Sequence, residues 1–419
     1  VRSEADQSDL QRRASNGDAA AQYALAAIFA RSGRRDDAER WLTAAAEAGH
    51  ADALYTIATR KLRSLAGAAE AVDQLKVAAD GGSEAAARLI AALRAMGVGV
   101  PRDDCGATAA LVDLARSGSL SARREIACLL ALSDQDHPAI AGLLEAERPS
   151  DPVGAAFALA RAAAGRPAGG RRSLDAAAAL LARVRYPRAG SLARNGAAPD
   201  ETPLEPLDWR AVISALTLSP RTAASAAVLS NAPRIRLFRN AVAPEVCEYV
   251  IAHAASRLAP SLVYDPRGGG AMRHPERTSA TAVLSSIDLD VALVALNRLI
   301  AAAADESDAH GEFLSILHYA PGQQYRPHFD CIPQGEDFER NGQRIKTALL
   351  FLNDEYEGGE THFLSPDLKV RGRRGDLLVF SNVDAEGRPD LQSRHAGLPV
   401  SLGEKWIASK WFRDKNFSF

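Results

Sequence analysis

The segment QYRPHFDC sets His328 and Asp330 two residues apart. On an extended strand, residues i and i+2 project to the same face. One imidazole and one carboxylate then stand side by side, which is the geometry needed to hold two adjacent positions on a metal. A third ligand from a different strand would complete a face and leave three positions open. Two histidines and a carboxylate so arranged favour non-haem Fe(II), with room for O2 and a bidentate co-substrate.

The pattern needs its surroundings to carry meaning, because His50 and Asp52 repeat it. That second copy falls on a predicted helix, where positions i and i+2 diverge. The equivalent place in the next repeat holds Ser83 and Ala85, so the copy reads as incidental.

Stepping from His328 to its setting, the texture changes after Pro233. RIRLF (234–238) alternates like a strand, and AVAPEVCEYVIAHAASRL (241–258) reads as an amphipathic helix with Pro244 in its first turn. Strand-like runs follow: FLSILHYA (313–320), KTALLFLN (346–353), THFL (361–364), DLLVFSN (376–382), HAGLPV (395–400) and KWIASKWF (405–412). Turn signals divide them at 321–322, 357–359, 373–375 and 402–404. Many short strands behind one or two helices predict an antiparallel β-sandwich or barrel with helical backing.

Three of these segments carry a family pattern. ILHYAPGQQYRPHFD (316–330) resembles Y-x-x-G-x-x-Y-x-x-H-x-D of the prolyl 4-hydroxylases, which are Fe(II)/2-oxoglutarate-dependent dioxygenases. TALLFLNDEYEGGETHF (347–363) is similar to their T-x-L-x-Y-L-N…GGET-x-F, with Phe351 at an aromatic position. RHAGLPVSLGEKWIASKWFR (394–413) looks like H-x-G-x-P-V-x-x-G-x-K-W-x-x-x-K-W. The resemblance covers roughly 234–415, with the motifs in order.

What the resemblance implies is specific. The fold would be a double-stranded β-helix (jelly roll) with supporting helices. His328, Asp330 and His395 would be the iron ligands, and Lys405 would bind the distal carboxylate of 2-oxoglutarate. Tyr319 and Thr347 would hydrogen-bond that carboxylate, and Tyr325 and Trp411 would line the pocket near the substrate. A turn at 402–404 is expected to fold the strand beginning at Lys405 back beside the one beginning at His395, so that the ammonium can lie one co-substrate length from the iron. A charge-assisted hydrogen bond there contributes about 1.5–3 kcal/mol.

Competing residues are set aside on their alternation. His318 points away from the Tyr319 face, Cys331 away from the metal, and Lys410 to the face opposite Lys405. His362 reads as structural. Asp330 argues against halogenation, which needs a small residue in the carboxylate's place.

The implied reaction consumes O2 and 2-oxoglutarate, releases succinate and CO2 and hydroxylates a C–H bond, with ascorbate as an expected reductant. The first expected substrate is a prolyl residue in a peptide or protein; a free amino acid or a peptide natural product is the alternative. Segments 263–281 and 332–344 are expected to shape the entrance, with Gly268, Gly269 and Gly270 as a hinge. Arg277 and Arg344 would either steer the substrate or stand as solvated charges.

The first part of the chain is alanine-rich and repetitive. AAAEAGHADALYTIA (44–58), VAADGGSEAAARLIA (77–91) and DLARSGSLSARREIA (113–127) align on Gly49, Gly82 and Gly118, and ASNGDAAAQYALA (14–26) adds Gly17. Such spacing predicts helix–turn–helix units, with glycine ending a helix at positive φ. Together with MGVGVPRDDCGATAAL (96–111), the pattern resembles Sel1-like repeats of the tetratricopeptide family. It implies a solenoid over 1–130 that binds the protein substrate or a partner, or serves as a scaffold. Residues 131–230 read as a helical extension and linker, leaving 231–419 as the oxygenase domain. The whole is a multidomain α + β chain.

Hydrophobic residues make up 47% of the 419 and charged residues 24%, as in ordinary globular proteins. A net charge of −2 gives no reason to expect nucleic acid or an anionic membrane as partner. No apolar run approaches the roughly 20 residues that span a bilayer. Four scattered cysteines without a CxxC pair point to reduced thiols and a cytoplasmic setting. The polar N-terminus is no signal-peptide core, although the chain does not begin with Met.

Overall fold

The computed structural model describes residues 4–63, 67–146, 149–195, 206–220, 225–261, 263–264, 271–272 and 277–417. They fall into two compact units, one within residues 1–119 and 286–291 and the other within 120–285 and 292–418.

The first unit is a run of helix pairs: α1 (Glu4–Ser15) with α2 (Ala19–Arg31), α3 (Arg35–Glu47) with α4 (Ala51–Lys61), and α5 (Ala68–Asp80) with α6 (Glu84–Met96). Helix α7 (Asp104–Arg116) closes the unit. The aligned glycines do the same work each time: Gly17, Gly49, Gly82 and Gly118 have φ of 89°, 80°, 91° and 104°. The residue after each glycine donates its N–H back five positions, as in Ser83 to Ala78 and His50 to Ala45, both 2.9 Å. This is the Schellman closure, in which a left-handed residue lets orphan carbonyls find donors. Ala45, Ala53, Ala58, Ala71, Ala78 and Ala86 are fully buried, so the helix backbones approach closely.

The second unit begins with α8 (Leu120–Ser133), α9 (Ala139–Leu144), α10 (Pro152–Ala163), α11 (Arg171–Arg183), α12 (Ala189–Asn195) and α13 (Trp209–Ala215). The strands follow, starting with β1 (Ala226–Asn231) and β2 (Arg234–Phe238), then α14 (Pro244–Ala254). Next come β3 (Ala259–Pro260), β4 (Val263–Tyr264), β5 (Ala271–Met272), β6 (Ala280–Leu284) and α15 (Val291–Ala303). The strands β7 (Leu314–Tyr319) and β8 (Tyr325–His328), helix α16 (Glu336–Asn341) and strand β9 (Arg344–Phe351) lead to β10 (Tyr356–Gly358), β11 (Thr361–Phe363) and β12 (Leu368–Val370). The chain ends with β13 (Leu377–Ser381), β14 (His395–Gly397), β15 (Val400–Gly403) and β16 (Lys405–Arg413).

An eight-stranded sheet runs β1-β2-β13-β9-β16-β7-β6-β3 and a four-stranded sheet runs β12-β11-β14-β8, both antiparallel. Their inner faces share one core of Leu317, Leu349, Phe351, Phe363, Val370, Phe380 and Ile407. Phe363 and Phe380 meet across it edge to face, 5.0 Å between centroids. This is a jelly-roll sandwich. The run 395–400, expected as one strand, is two: β14 belongs to the smaller sheet, and β15 pairs with β10. Segment 332–344 contains α16, while most of 263–281, including Gly268, Gly269 and Gly270, lies outside the described residues.

Helix α14 joins the sheets to the helices before them through buried charge. Glu245 and Glu248, both fully buried, lie one turn apart. Arg161 of α10 donates to Glu245 at 2.7 Å, and Arg188 Nε donates to Glu248 at 3.0 Å. The Tyr186 hydroxyl also donates to Glu248 at 2.6 Å. A buried carboxylate is tolerated only when paired and hydrogen-bonded in this way.

Candidate metal and co-substrate site

β8 and β14 are neighbours in the smaller sheet, and their register sets His328 directly opposite His395. Asp330 follows the end of β8. Ligand atoms of His328, Asp330 and His395 all lie within 4.8 Å of one another. His328 Nε2 is 3.6 Å from one Asp330 oxygen and His395 Nε2 is 3.7 Å from the other. Each ring is oriented by its second nitrogen: His328 Nδ1 lies 2.8 Å from the Arg326 carbonyl and His395 Nδ1 lies 2.9 Å from the Ser393 carbonyl. A carbonyl only accepts, so Nδ1 carries the proton and Nε2 presents its lone pair inward.

Charge states suit a cation. Burial first, and the neighbouring His328 second, lower His395 to about 4, so its imidazole is neutral at physiological pH. Burial alone would raise the Asp330 carboxyl. His395, His328 and the Thr347 hydroxyl together hold it well below the usual carboxylate range. Thr347 Oγ1 donates to Asp330 at 2.6 Å and accepts from Asn382 Nδ2 at 2.9 Å. A carboxylate and two lone-pair nitrogens converging within a few ångströms are a donor set that fits Fe(II).

The inner face of the larger sheet supplies a cation. β16 runs between β7 and β9, so Lys405 lies opposite Tyr319 and Trp411 opposite Thr347. Lys405 is 3% exposed, with Nζ 5.4 Å from the Tyr319 ring centroid and 6.0 Å from that of Phe351. Burial lowers its ammonium to about 8, with Glu360 opposing. Among the described residues its hydrogen-bond acceptor is the Gly359 carbonyl at 2.6 Å, which leaves two of three donors for a ligand.

The remaining sequence candidates take definite places. Tyr325 stacks on His328, centroids 3.5 Å apart, and faces the Arg277 guanidinium at 5.2 Å. Arg344 is half-buried and paired: it forks onto Glu312 at 2.6 and 2.7 Å and lies 4.1 Å over Trp411. The Trp411 indole N–H is buried without a partner among the described residues. His318 packs against Trp406 with tilted rings on the other face of the sheet, and Lys410, also on that face, donates to the Glu312 carbonyl. Cys331 donates to the Asn382 carbonyl, and His362 pairs with Asp367. Among the described residues no disulfide joins the four cysteines, and no helix is long and apolar enough to cross a membrane.

Sequence reasoning missed three residues that hold the site. Asn382 supports Thr347, and Glu312 gathers Arg344 and Arg413. Asn353 accepts from the Trp406 N–H and donates to the Glu404 carbonyl, both at 2.7 Å, so it brackets Lys405 on either side. Its place at the end of the LFLN run was the available signal.

Residues 314–413 match the 2OG-Fe(II) oxygenase superfamily. Prolyl 4-hydroxylase 1 of Arabidopsis thaliana is 34% identical over 202 residues, covering 45% of this chain and 71% of that protein. Prolyl 4-hydroxylase 5 of the same plant is 32% identical over 209 residues, covering 45% and 72%. A Sel1 repeat protein structure from Oxalobacter formigenes aligns with 28% of this chain and 93% of its own, at 25% identity and a TM-score of 0.25. With its His-Asp-His cluster, buried lysine and this level of identity, the chain belongs to the prolyl 4-hydroxylases of the 2OG-Fe(II) oxygenase superfamily and is a 2-oxoglutarate-dependent dioxygenase.

Proposed function

We propose that this enzyme hydroxylates prolyl residues of a peptide or protein, with Fe(II) held by His328, Asp330 and His395 and 2-oxoglutarate anchored by Lys405. The observation that carries the reading is the convergence of two oriented Nε2 lone pairs and one ionised carboxylate at one end of a sandwich whose inner face also buries an ammonium with two unclaimed donors. When bound, Fe(II) and 2-oxoglutarate supply O2 activation and the oxidising equivalents for inserting a hydroxyl into a C–H bond.

The chain's own residues orient and exclude water. Asp330 is kept ionised and fixed by Thr347, so its oxygens do not swing away from the metal position. Lys405 neutralises the distal carboxylate, with Tyr319 adding a hydroxyl to the same group. Thr347 is already committed to Asp330, and this contact favours a role in ligand orientation over the co-substrate contact implied by the family pattern. Tyr325, stacked on His328, and Trp411, with its unpartnered N–H, wall the substrate side. The names of the relatives favour proline as the substrate side chain.

The helical repeats of the first unit are assigned the recruitment of the protein substrate or a partner. Ascorbate is expected to sustain turnover. The test supplies purified enzyme with Fe(II), 2-oxoglutarate and proline-containing peptides and follows succinate. Peptide-dependent succinate supports the reading; turnover with free proline alone would redirect it to an amino-acid hydroxylase. Removing residues 1–119 should impair hydroxylation of a protein substrate and spare a short peptide, and equal loss of both would overturn the assignment of the repeats.

A further inference from the structure

The helices ahead of the sheets reach the co-substrate lysine by a route that the reaction itself does not require. We propose that Arg188 is a positioning residue for 2-oxoglutarate, acting through Glu355 on the loop that encloses Lys405. The inference rests on the assignment of Lys405 as the carboxylate anchor.

The enclosure is built from one short segment. Asn353 brackets the backbone at Glu404 and Trp406, and Gly359 accepts from Lys405 Nζ. Between them, β10 pairs with β15 so that Tyr356 lies opposite Gly403 and Glu357 opposite Leu402. The fit is tight. A Cβ at Gly403 would stand 2.5 Å from the Glu355 carbonyl, and one at Gly359 would stand 3.2 Å from Lys405 Cδ. A shift of Glu355 therefore carries into the strand end that leads to Lys405 and into the carbonyl that holds its ammonium.

Glu355 is held from outside the sandwich. Arg188 Nη2 lies 3.4 Å from both of its oxygens, and Arg374 also donates to Oε1. Arg188 is itself immobilised: it is 8% exposed, and its Nε edge is fixed on Glu248, which Tyr186 also bonds. One edge of the guanidinium thus neutralises a buried helix carboxylate while the other reaches the co-substrate loop. Burial first, then Arg188 and Arg374, act on the Glu355 carboxyl, and the two cations prevail in keeping it ionised.

Glu355 is half-exposed, so its variants should fold even where Arg188 variants, which strand Glu248, do not. The experiment titrates 2-oxoglutarate into the full-length protein loaded with Mn(II), measuring heat, beside steady-state kinetics and thermal melting. Glu355→Ala should weaken 2-oxoglutarate by about three- to tenfold in both Kd and KM, well below the ~10²-fold seen when reacting groups are misplaced by about 1 Å. Metal affinity and kcat at saturating 2-oxoglutarate should hold. The direction is diagnostic, because deleting a carboxylate near an anion site should by charge alone strengthen the anion's binding. Arg188→Ala, if folded, should add nothing further in the Glu355→Ala background. A Glu355→Ala protein with a lower melting point but wild-type Kd would reduce Arg188 to a purely structural role and overturn the proposal. If Lys405→Met bound 2-oxoglutarate as well as wild type does, the anchor assignment would fail, and this inference with it.

Discussion

The chain carries His-x-Asp twice, and the two copies do different work. His50 stands at the N-cap position of α4 without a side-chain capping bond and stacks on Tyr23 with centroids 4.6 Å apart, while Asp52, in the first turn, accepts from Ser83 at 3.3 Å. Their side chains serve packing between repeats. His328 instead ends strand β8 and Asp330 lies two residues beyond it, with His395 opposite on the neighbouring strand and Thr347 bonded to the carboxylate. The difference lies in the backbone: a helix turns successive residues by about 100°, whereas a strand returns every second residue to the same face. A cross-strand neighbour then adds a third candidate ligand, with no counterpart among the described residues of the repeat region.

The largest expected contrast follows from that difference. Asp330→Ala should abolish iron retention and turnover, while Asp52→Ala leaves both intact; iron content measured on the two purified variants decides it. Equal retention would mean that the strand copy is not the metal site.

A smaller effect concerns the hydroxyls that support each aspartate. Thr347→Ala should lower metal affinity by about 10–100-fold, as loss of an outer-shell partner commonly does. Ser83→Ala should leave metal affinity unchanged and cost about 0.5–2 kcal/mol of stability, because Ser83 caps α6. Metal titration and denaturant melts separate the two.

The co-substrate anchor has a pH signature. Lys405 is near 8 in the free protein, and a bound carboxylate favours its ammonium. Binding should therefore be full below pH 8 and weaken above it, by up to about tenfold per pH unit, until the raised value of the complex is reached. Lys405→Met should bind weakly with no such dependence. Isothermal titrations across pH 7 to about 10 test both, and a flat wild-type profile would contradict the anchor. Smallest of all, His50→Ala should cost about 0.5–1.5 kcal/mol by losing its ring contact and should leave iron binding untouched.

Much of the site was legible because its signals are local. The strand runs ending at Tyr319 and Phe351 and beginning at His395 and Lys405 are bounded by turn residues, and the repeat glycines mark a backbone position that only positive φ satisfies. Partners chosen across the fold were not legible. Nothing near Arg344 in sequence reveals Glu312, 32 positions away, so a steering or solvated arginine was expected where the structure has a half-buried fork. The weak pattern over 131–230 likewise hid Tyr186 and Arg188, whose acceptor Glu248 lies 60 or more positions on. Asp330–Thr347 depends on where the chain re-enters after β8, which alternation along one strand cannot give.

The central claim is that the strand copy of His-x-Asp, and not the helix copy, makes this chain a prolyl hydroxylase. Mass spectrometry of a proline-containing peptide incubated with the enzyme, Fe(II), 2-oxoglutarate and isotopically labelled O2 tests it most directly. The account predicts one labelled oxygen on a prolyl residue per succinate formed, with the Asp52→Ala protein but not with Asp330→Ala. Label on another residue type, or hydroxylation that survives Asp330→Ala, would contradict it.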